Sequence, residues 1–235
     1  MIYDVYKTVL TIANKENYGE ITPERFGYLA FNAQNKLFSD ILSEYRRSKG
    51  KEYNSLRLKL LRSVLDLFYV TDAIRKSGSN TYYNLDELSS DIEGYAFVDS
   101  IWYRESIPVH IADKGLSGLI KRSKYLKATK EFPYAEMQSN KLYIYPLEIG
   151  QKIGTIYPND VTVGYYRYPS RPIMGVENNV PSDNAAQTVD FELPNSFFNE
   201  LAVSILEQIA VTIREAEVEA YANKESQTTT QTDNL

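Results

Sequence analysis

Residues 22 to 50 leave the chain little conformational choice. Thr22-Pro23-Glu24 is a helix-start signature. It places a hydroxyl at the N-cap, a proline at the first helical position where its missing N–H costs nothing, and an acid against the positive end of the helix dipole. From there Phe26, Leu29, Ala30, Ala33, Leu37, Ile41 and Tyr45 recur at helical spacing as one apolar stripe. Arg46, Arg47 and Lys49 suit the negative end of the dipole, and Gly50 stops the run.

Helical spacing also governs what precedes and follows. Val5, Val9, Ile12 and Ala13 predict a helix over residues 4–17, closed by Gly19. Leu56, Leu60, Leu61, Val64, Leu65 and Phe68 predict another, becoming extended near Phe68-Tyr69-Val70. The pattern then changes. After a Ser77-Gly78-Ser79-Asn80 loop come short extended runs at 81–83, 95–104, 109–112, 141–145 and 161–168, with a short helix over 114–122. Val161, Val163, Tyr165 and Arg167 alternate with Thr162, Gly164 and Tyr166, the period of a strand. Pro169 to Pro172 end this region, and Gly175 to Gln187 reads as a mobile polar loop.

Pro194-Asn195-Ser196 opens another helix, with Phe197, Phe198, Leu201, Ile205, Leu206 and Ile209 on its apolar face. A break at Val211 to Ile213, a short helix over 214–224 and a disordered polar tail follow. The predicted fold is therefore α+β: N- and C-terminal helices packed together, with an inserted small antiparallel β module, barrel or sandwich. The expected divisions are a helical part at 1–76, the β-rich module at 77–172, a mobile loop at 173–192, completing helices at 193–224 and a tail at 225–235.

Composition narrows the chemistry. The chain has no cysteine, which removes disulfides, thiolate metal sites and Cys nucleophiles. Its one histidine, His110, lies in an alternating stretch and reads as a strand-face residue. A net charge of −5 argues against a sequence-specific nucleic-acid binder. The local basic stretch Lys121-Arg122-Ser123-Lys124 with Lys127 reads as a solvated face or a subunit contact. No run of 18 or more apolar residues predicts a membrane span, and Met1-Ile2-Tyr3-Asp4 does not read as a secretory signal. Tyrosine is unusually abundant, 20 against 9 phenylalanines. That suits both strands and protein contact surfaces.

Enzyme signatures are missing. No phosphate-binding glycine loop, nucleophile elbow or zinc-binding H-E-x-x-H occurs. Ser117 lies between glycines without an elbow pattern. Asp86, Glu87, Asp91 and Glu93 form an acidic segment that reads as a solvated loop and does not match a calcium loop. Glu215, Glu217 and Glu219 read as an exposed helix start. No catalytic, cofactor or metal residue is expected, and no cofactor.

Three segments together resemble the head-to-tail adaptor, or ring, proteins of short-tailed phages, especially the crAss-like group. They are Ile21 to Phe26 running on to Asn32-Ala33-Gln34; the pair Asn140 to Pro146 and Asp160 to Pro169; and Leu193-Pro194 through Ile205-Leu206 to Glu215. The resemblance implies a non-enzymatic virion protein that forms a cyclic homo-oligomer, twelve-fold, docked on the portal protein and continuing toward other tail or ring proteins. It also implies genomic DNA passing through the channel without sequence-specific binding, and synthesis in the bacterial host cytoplasm. An acidic balance suits a channel wall along which DNA slides. The expected interface residues are Tyr143, Tyr145, Tyr165, Tyr166, Arg167, Tyr168, Phe197 and Phe198. Two other classes remain open on the residues alone: a carbohydrate- or host-surface-binding module resting on the Tyr-rich strands, and an acid-pair hydrolase resting on the acidic segment.

Overall fold

The structure, a computed structural model, describes residues 1–15, 21–48, 56–76, 81–88, 94–123, 125–149, 161–177, 180–182 and 186–211. The fold is α+β, as predicted. The chain divides into two compact units: Met1–Val64 with Pro169–Leu235, and Leu65–Tyr168.

The first unit is built on helices α1 (Ile2–Lys15), α2 (Pro23–Ser48) and α3 (Leu56–Leu65), whose last residue opens the second unit, and on a helix α5 over residues 198–211. α1 buries Ile2, Val5, Tyr6, Val9 and Ala13 on one face, and Ile12 turns outward. Its first amide, Ile2 N–H, donates to the Asp190 carboxylate at 2.7 Å, a cap from a distant part of the chain. Thr22 caps α2 as its sequence requires, its Oγ1 accepting from Arg25 N–H. The buried face of α2 is Phe26, Ala30, Ala33, Gln34, Phe38, Ile41 and Leu42. Relative to the predicted stripe, Leu29, Leu37 and Tyr45 sit at its half-buried margin.

Gln34 is fully buried and satisfied at both ends of its amide. It donates to Ser170 C=O and accepts from Glu192 N–H, both at 2.9 Å, while Ser170 N–H donates to the Glu192 carboxylate. This polar lock fixes the returning chain to α2. α5 buries Leu201, Ala202, Ser204, Ile205 and Ile209, and Gln208 donates to Leu29 C=O, so the terminal helices do pack together.

The second unit holds two four-stranded sheets. One has the order β1 (Tyr69–Ile74), β8 (Val161–Arg167), β3 (Tyr95–Tyr103), β4 (Ile107–Pro108), all antiparallel. The other runs β2 (Tyr83–Asn84), β7 (Lys141–Tyr145), β6 (Tyr134–Gln138), β5 (His110–Ala112). A single core including Tyr83, Leu85, Val98, Ile101, Leu142, Ile144, Val161, Val163 and Tyr165 draws on both. This is the sandwich alternative. One pair departs from the antiparallel expectation: β5 and β6 are parallel. The reason is the intervening helix α4 (Lys114–Arg122), which returns the chain to the same end of the sheet. Buried Lys76 adds a polar staple, its ammonium donating to the carbonyls of Leu147 and Ile149.

The predicted division at residue 76 is corrected. Tyr69–Ile74 pairs along its length with β8 and belongs to the β unit, which begins at Leu65 and ends at Tyr168, not 172. The segment read as a mobile loop is hydrogen-bonded where described. Strands β9 (Val176–Glu177) and β10 (Val180–Pro181) pair, and Ile173 bridges Val189. Val211 is helical, so the predicted break does not begin there. The loop at 77–80, residues Gly19 and Gly50, the helix at 214–224 and the tail at 225–235 lie outside the described residues.

Gly164 is required by a close approach. A Cβ there would lie 2.0 Å from the Tyr69 hydroxyl and 2.5 Å from Ser100 Oγ. Those two hydroxyls bond each other at 2.8 Å across the central strand, and the Tyr69 ring meets Tyr166 edge-on. Gly164→Ala is expected to destabilise the protein by about 1–3 kcal/mol through overpacking, measured as a lower urea midpoint at unchanged m-value. Tyr69→Phe, which removes the hydroxyl, is expected to recover part of that loss in the double variant.

Candidate interaction surface

Helix α4 is short and contains two glycines, so its own propensity is poor. Local bonds hold its ends. Asp113 is the N-cap, its carboxylate accepting from Leu116 N–H at 2.7 Å, and Ser123 N–H closes the C-terminus on Leu119 C=O. Lys121 and Arg122 lie at the negative end of its dipole.

What docks α4 is polar. On β6, Ala135 and Met137 join the core, so Glu136 and Gln138 fall on the opposite face of the sheet. The Glu136 side chain is buried there. Its Oε2 accepts from Ser117 Oγ–H at 2.8 Å and from the Lys121 ammonium at 2.7 Å, and its Oε1 accepts from Gln138 at 2.9 Å. The Lys121 ammonium also sits 4.7 Å from the centre of the Tyr145 ring, which stacks on Tyr134 at 4.9 Å. The hydrogen bonds from Lys121, Gln138 and Ser117 pull the Glu136 carboxyl down to about 2, and Glu136 in turn raises the Lys121 ammonium above its ordinary value.

These bonds make the cluster a clamp between α4 and its sheet. Lys121 stays protonated, so it is no base. Ser117 Oγ–H donates a hydrogen bond to a carboxylate whose lowered pKa makes it a weak base. The acidic segment is no better placed. Asp86 accepts from Asn140, Glu87 is exposed, and Asp91 and Glu93 lie outside the described residues. Burial and then Asp86 push the Tyr95 phenol up. Among the described residues no group of histidines and acids could hold a metal ion. His110 is exposed on β5, a strand-face residue.

With Ser117 taking the buried position, the leucines of α4 turn outward. Leu116 is 48% exposed and Leu119 66%. The connection beyond α4 adds Tyr125 at 97%, Leu126 at 60% and Phe132 at 75%. Single exposed apolar residues are ordinary, but five large ones within 17 residues make this stretch the candidate for a contact surface. Residues 114–130 also carry six Lys or Arg and no acid, a +6 segment in a chain of net −5.

The expected interface residues divide. Tyr165 and Tyr166 are corrected: both are buried, Tyr165 in the sandwich core with its hydroxyl donating to Asp72, Tyr166 against Tyr69. Their strand is buried on both faces: Val161, Val163 and Tyr165 point into the sandwich core, and Gly164 and Tyr166 are buried on the other side. Tyr143 and Tyr145 are half-buried on the sheet face that carries Glu136, and Tyr143 lies 5.8 Å from Tyr82. Arg167 is half-buried over the Phe68 ring, Tyr168 is half-buried, and Phe197 and Phe198 are half-buried where α5 begins. Sequence reasoning missed Leu116, Leu119, Tyr125, Leu126 and Phe132. The available signal was apolar residues interleaved with the basic stretch, out of register with any single buried face.

No family model matches the chain, and no curated protein matches it. Among the described residues no helix is long and apolar enough to cross a membrane.

The clamp has a pH signature. The Glu136 carboxyl binds its proton more weakly folded, at about 2, than its ordinary 4.5. Its contribution is therefore full above about 4.5 and disappears as pH falls through 2. Glu136→Gln is expected to cost about 1–3 kcal/mol and to flatten stability between pH 4.5 and 2, measured by denaturant titration across that range. Amide exchange in residues 114–122 is expected to speed up in the same variant.

Proposed function

We propose that this protein is a non-enzymatic structural protein of a phage virion: a ring-forming adaptor that joins the head portal to the tail around the DNA channel. One observation supports this reading most. α4 is bolted to its sheet by a polar clamp, and its leucines, with Tyr125, Leu126 and Phe132, are presented outward. A helix held this way is built to contact another macromolecule. The resemblance of three segments to head-to-tail adaptors supplies the biological setting.

In that setting the partners are copies of the same chain, twelve to a ring, with the portal on one side and further tail or ring proteins on the other. A closed ring requires one surface to meet a different surface of the next copy. The acidic balance lets genomic DNA pass during ejection with few phosphate contacts. The chain is made in the host cytoplasm and incorporated into the particle. Carbohydrate binding is less well supported, because Tyr145 is stacked on Tyr134 and covered by Lys121, and Tyr165 and Tyr166 are buried.

Symmetry-resolved images of intact particles test the reading. The chain is expected at the neck, in a ring on the portal axis. Density for it anywhere else in the particle overturns the proposal. Purified protein is expected to bind duplex DNA weakly at low salt, and tight binding there would remove the sliding-wall part of the argument.

A further inference from the structure

The outward face of α4 and the connection after it combines two properties that together restrict its occupant. Leu116 and Leu119 are one turn apart, and Arg122 follows at the same spacing. Tyr125, Leu126 and Phe132 extend the apolar content. All the charge in 114–130 is positive. The +6 of this segment leaves the rest of the chain at −11, so complementary charge is plentiful on every other copy.

One described element has the matching pattern. α5 exposes Glu200, Val203, Glu207 and Val211. These positions fall at intervals of three and four and form a single acidic and apolar stripe. Glu207 pairs with Lys36 at 3.4 Å, but both side chains are more than half exposed, so the pair is weak and readily exchanged. The buried face of α5 is already committed to its own unit, which leaves this stripe without an apolar cover among the described contacts.

We infer that the basic, apolar face of α4 in one copy docks on the Glu200–Val203–Glu207–Val211 stripe of α5 in a second copy. Two different surfaces meet, which is the head-to-tail geometry that closes rings. The inference rests on the proposed ring reading for its biological meaning, and it names the surfaces that such a ring would join. Leucines and valines supply the apolar contact. Arg122 and Lys127 face glutamates, which fixes orientation and makes the contact sensitive to salt.

The absence of cysteine permits a clean test. Leu119→Cys, at an exposed position, is labelled with a benzophenone maleimide and mixed with nitrogen-15-labelled copies that carry no probe. Irradiation at low salt is expected to join the probe to heavy peptides covering residues 199–211. Arg122→Glu with Lys127→Glu on the probe-bearing copy is expected to cut that product about tenfold. Glu200→Lys on the heavy copy is expected to restore most of it. A product only within the probe-bearing copy, a heavy product on other residues, or a yield indifferent to the charge reversal overturns the inference. Binding of the protein to phosphatidylserine vesicles or to duplex DNA, lost with the same reversal while no intermolecular product forms, overturns it in favour of a lipid surface or a nucleic acid. The outcomes separate from those of the adaptor reading. Copies joined through these faces but located away from the neck would end the adaptor reading alone.

Discussion

One ionised carboxylate fixes how α4 sits on its sheet, and with it which side chains α4 turns outward. Glu136 lies buried on the outward side of its sheet, where an unpaired charge would be costly. It is paired with Lys121 and hydrogen-bonded by Ser117 and Gln138, so the burial is tolerated. Two of those partners are on α4. The carboxylate therefore decides which side of α4 faces the protein. A leucine at the position of Ser117 would set apolar surface against that charge and remove one of its three hydrogen bonds. The sequence instead places a small hydroxyl there and turns its leucines away. Apolar docking of a short helix tolerates rotation, whereas a clamp with directional bonds does not.

The two units use the same device differently. In the helical unit Gln34 lies within an otherwise apolar face and binds the chain at Ser170 and Glu192. In the β unit Lys76 binds two carbonyls beyond β7. In each case a buried polar side chain satisfies backbone groups of a segment that lies outside the helices and strands. Such bonds specify position more than they add stability.

The helices were the most legible part of the sequence. Thr22-Pro23-Glu24 marks its boundary chemically, and the cap is made as written. The short helix over 114–122 and the strand over 141–145 also lie where expected. β6 was not legible, since Tyr134-Ala135-Glu136-Met137-Gln138 contains residues that favour helices, and only its neighbours on both sides make it a strand. β1 was half legible: its aromatic and β-branched start suggested extension, but nothing local reveals that its partner lies some ninety residues away. The α4 clamp was invisible for the same reason. Ser117 and Lys121 acquire meaning from Glu136, on a different element. Counting tyrosines identified Tyr165 and Tyr166 as contact candidates, but β8 is buried on both of its faces, which nothing in its own seven residues reveals.

The strand that opens the sandwich is paired with the strand that ends it, Tyr69 opposite Tyr166. The chain thus enters and leaves that unit at neighbouring points, roughly 5 Å apart by strand-pair geometry. An insertion with such closely spaced ends resembles a graft on a single stem. It can be shortened, enlarged or exchanged over evolutionary time by joining two adjacent cut ends, while the helices on either side keep their own partners.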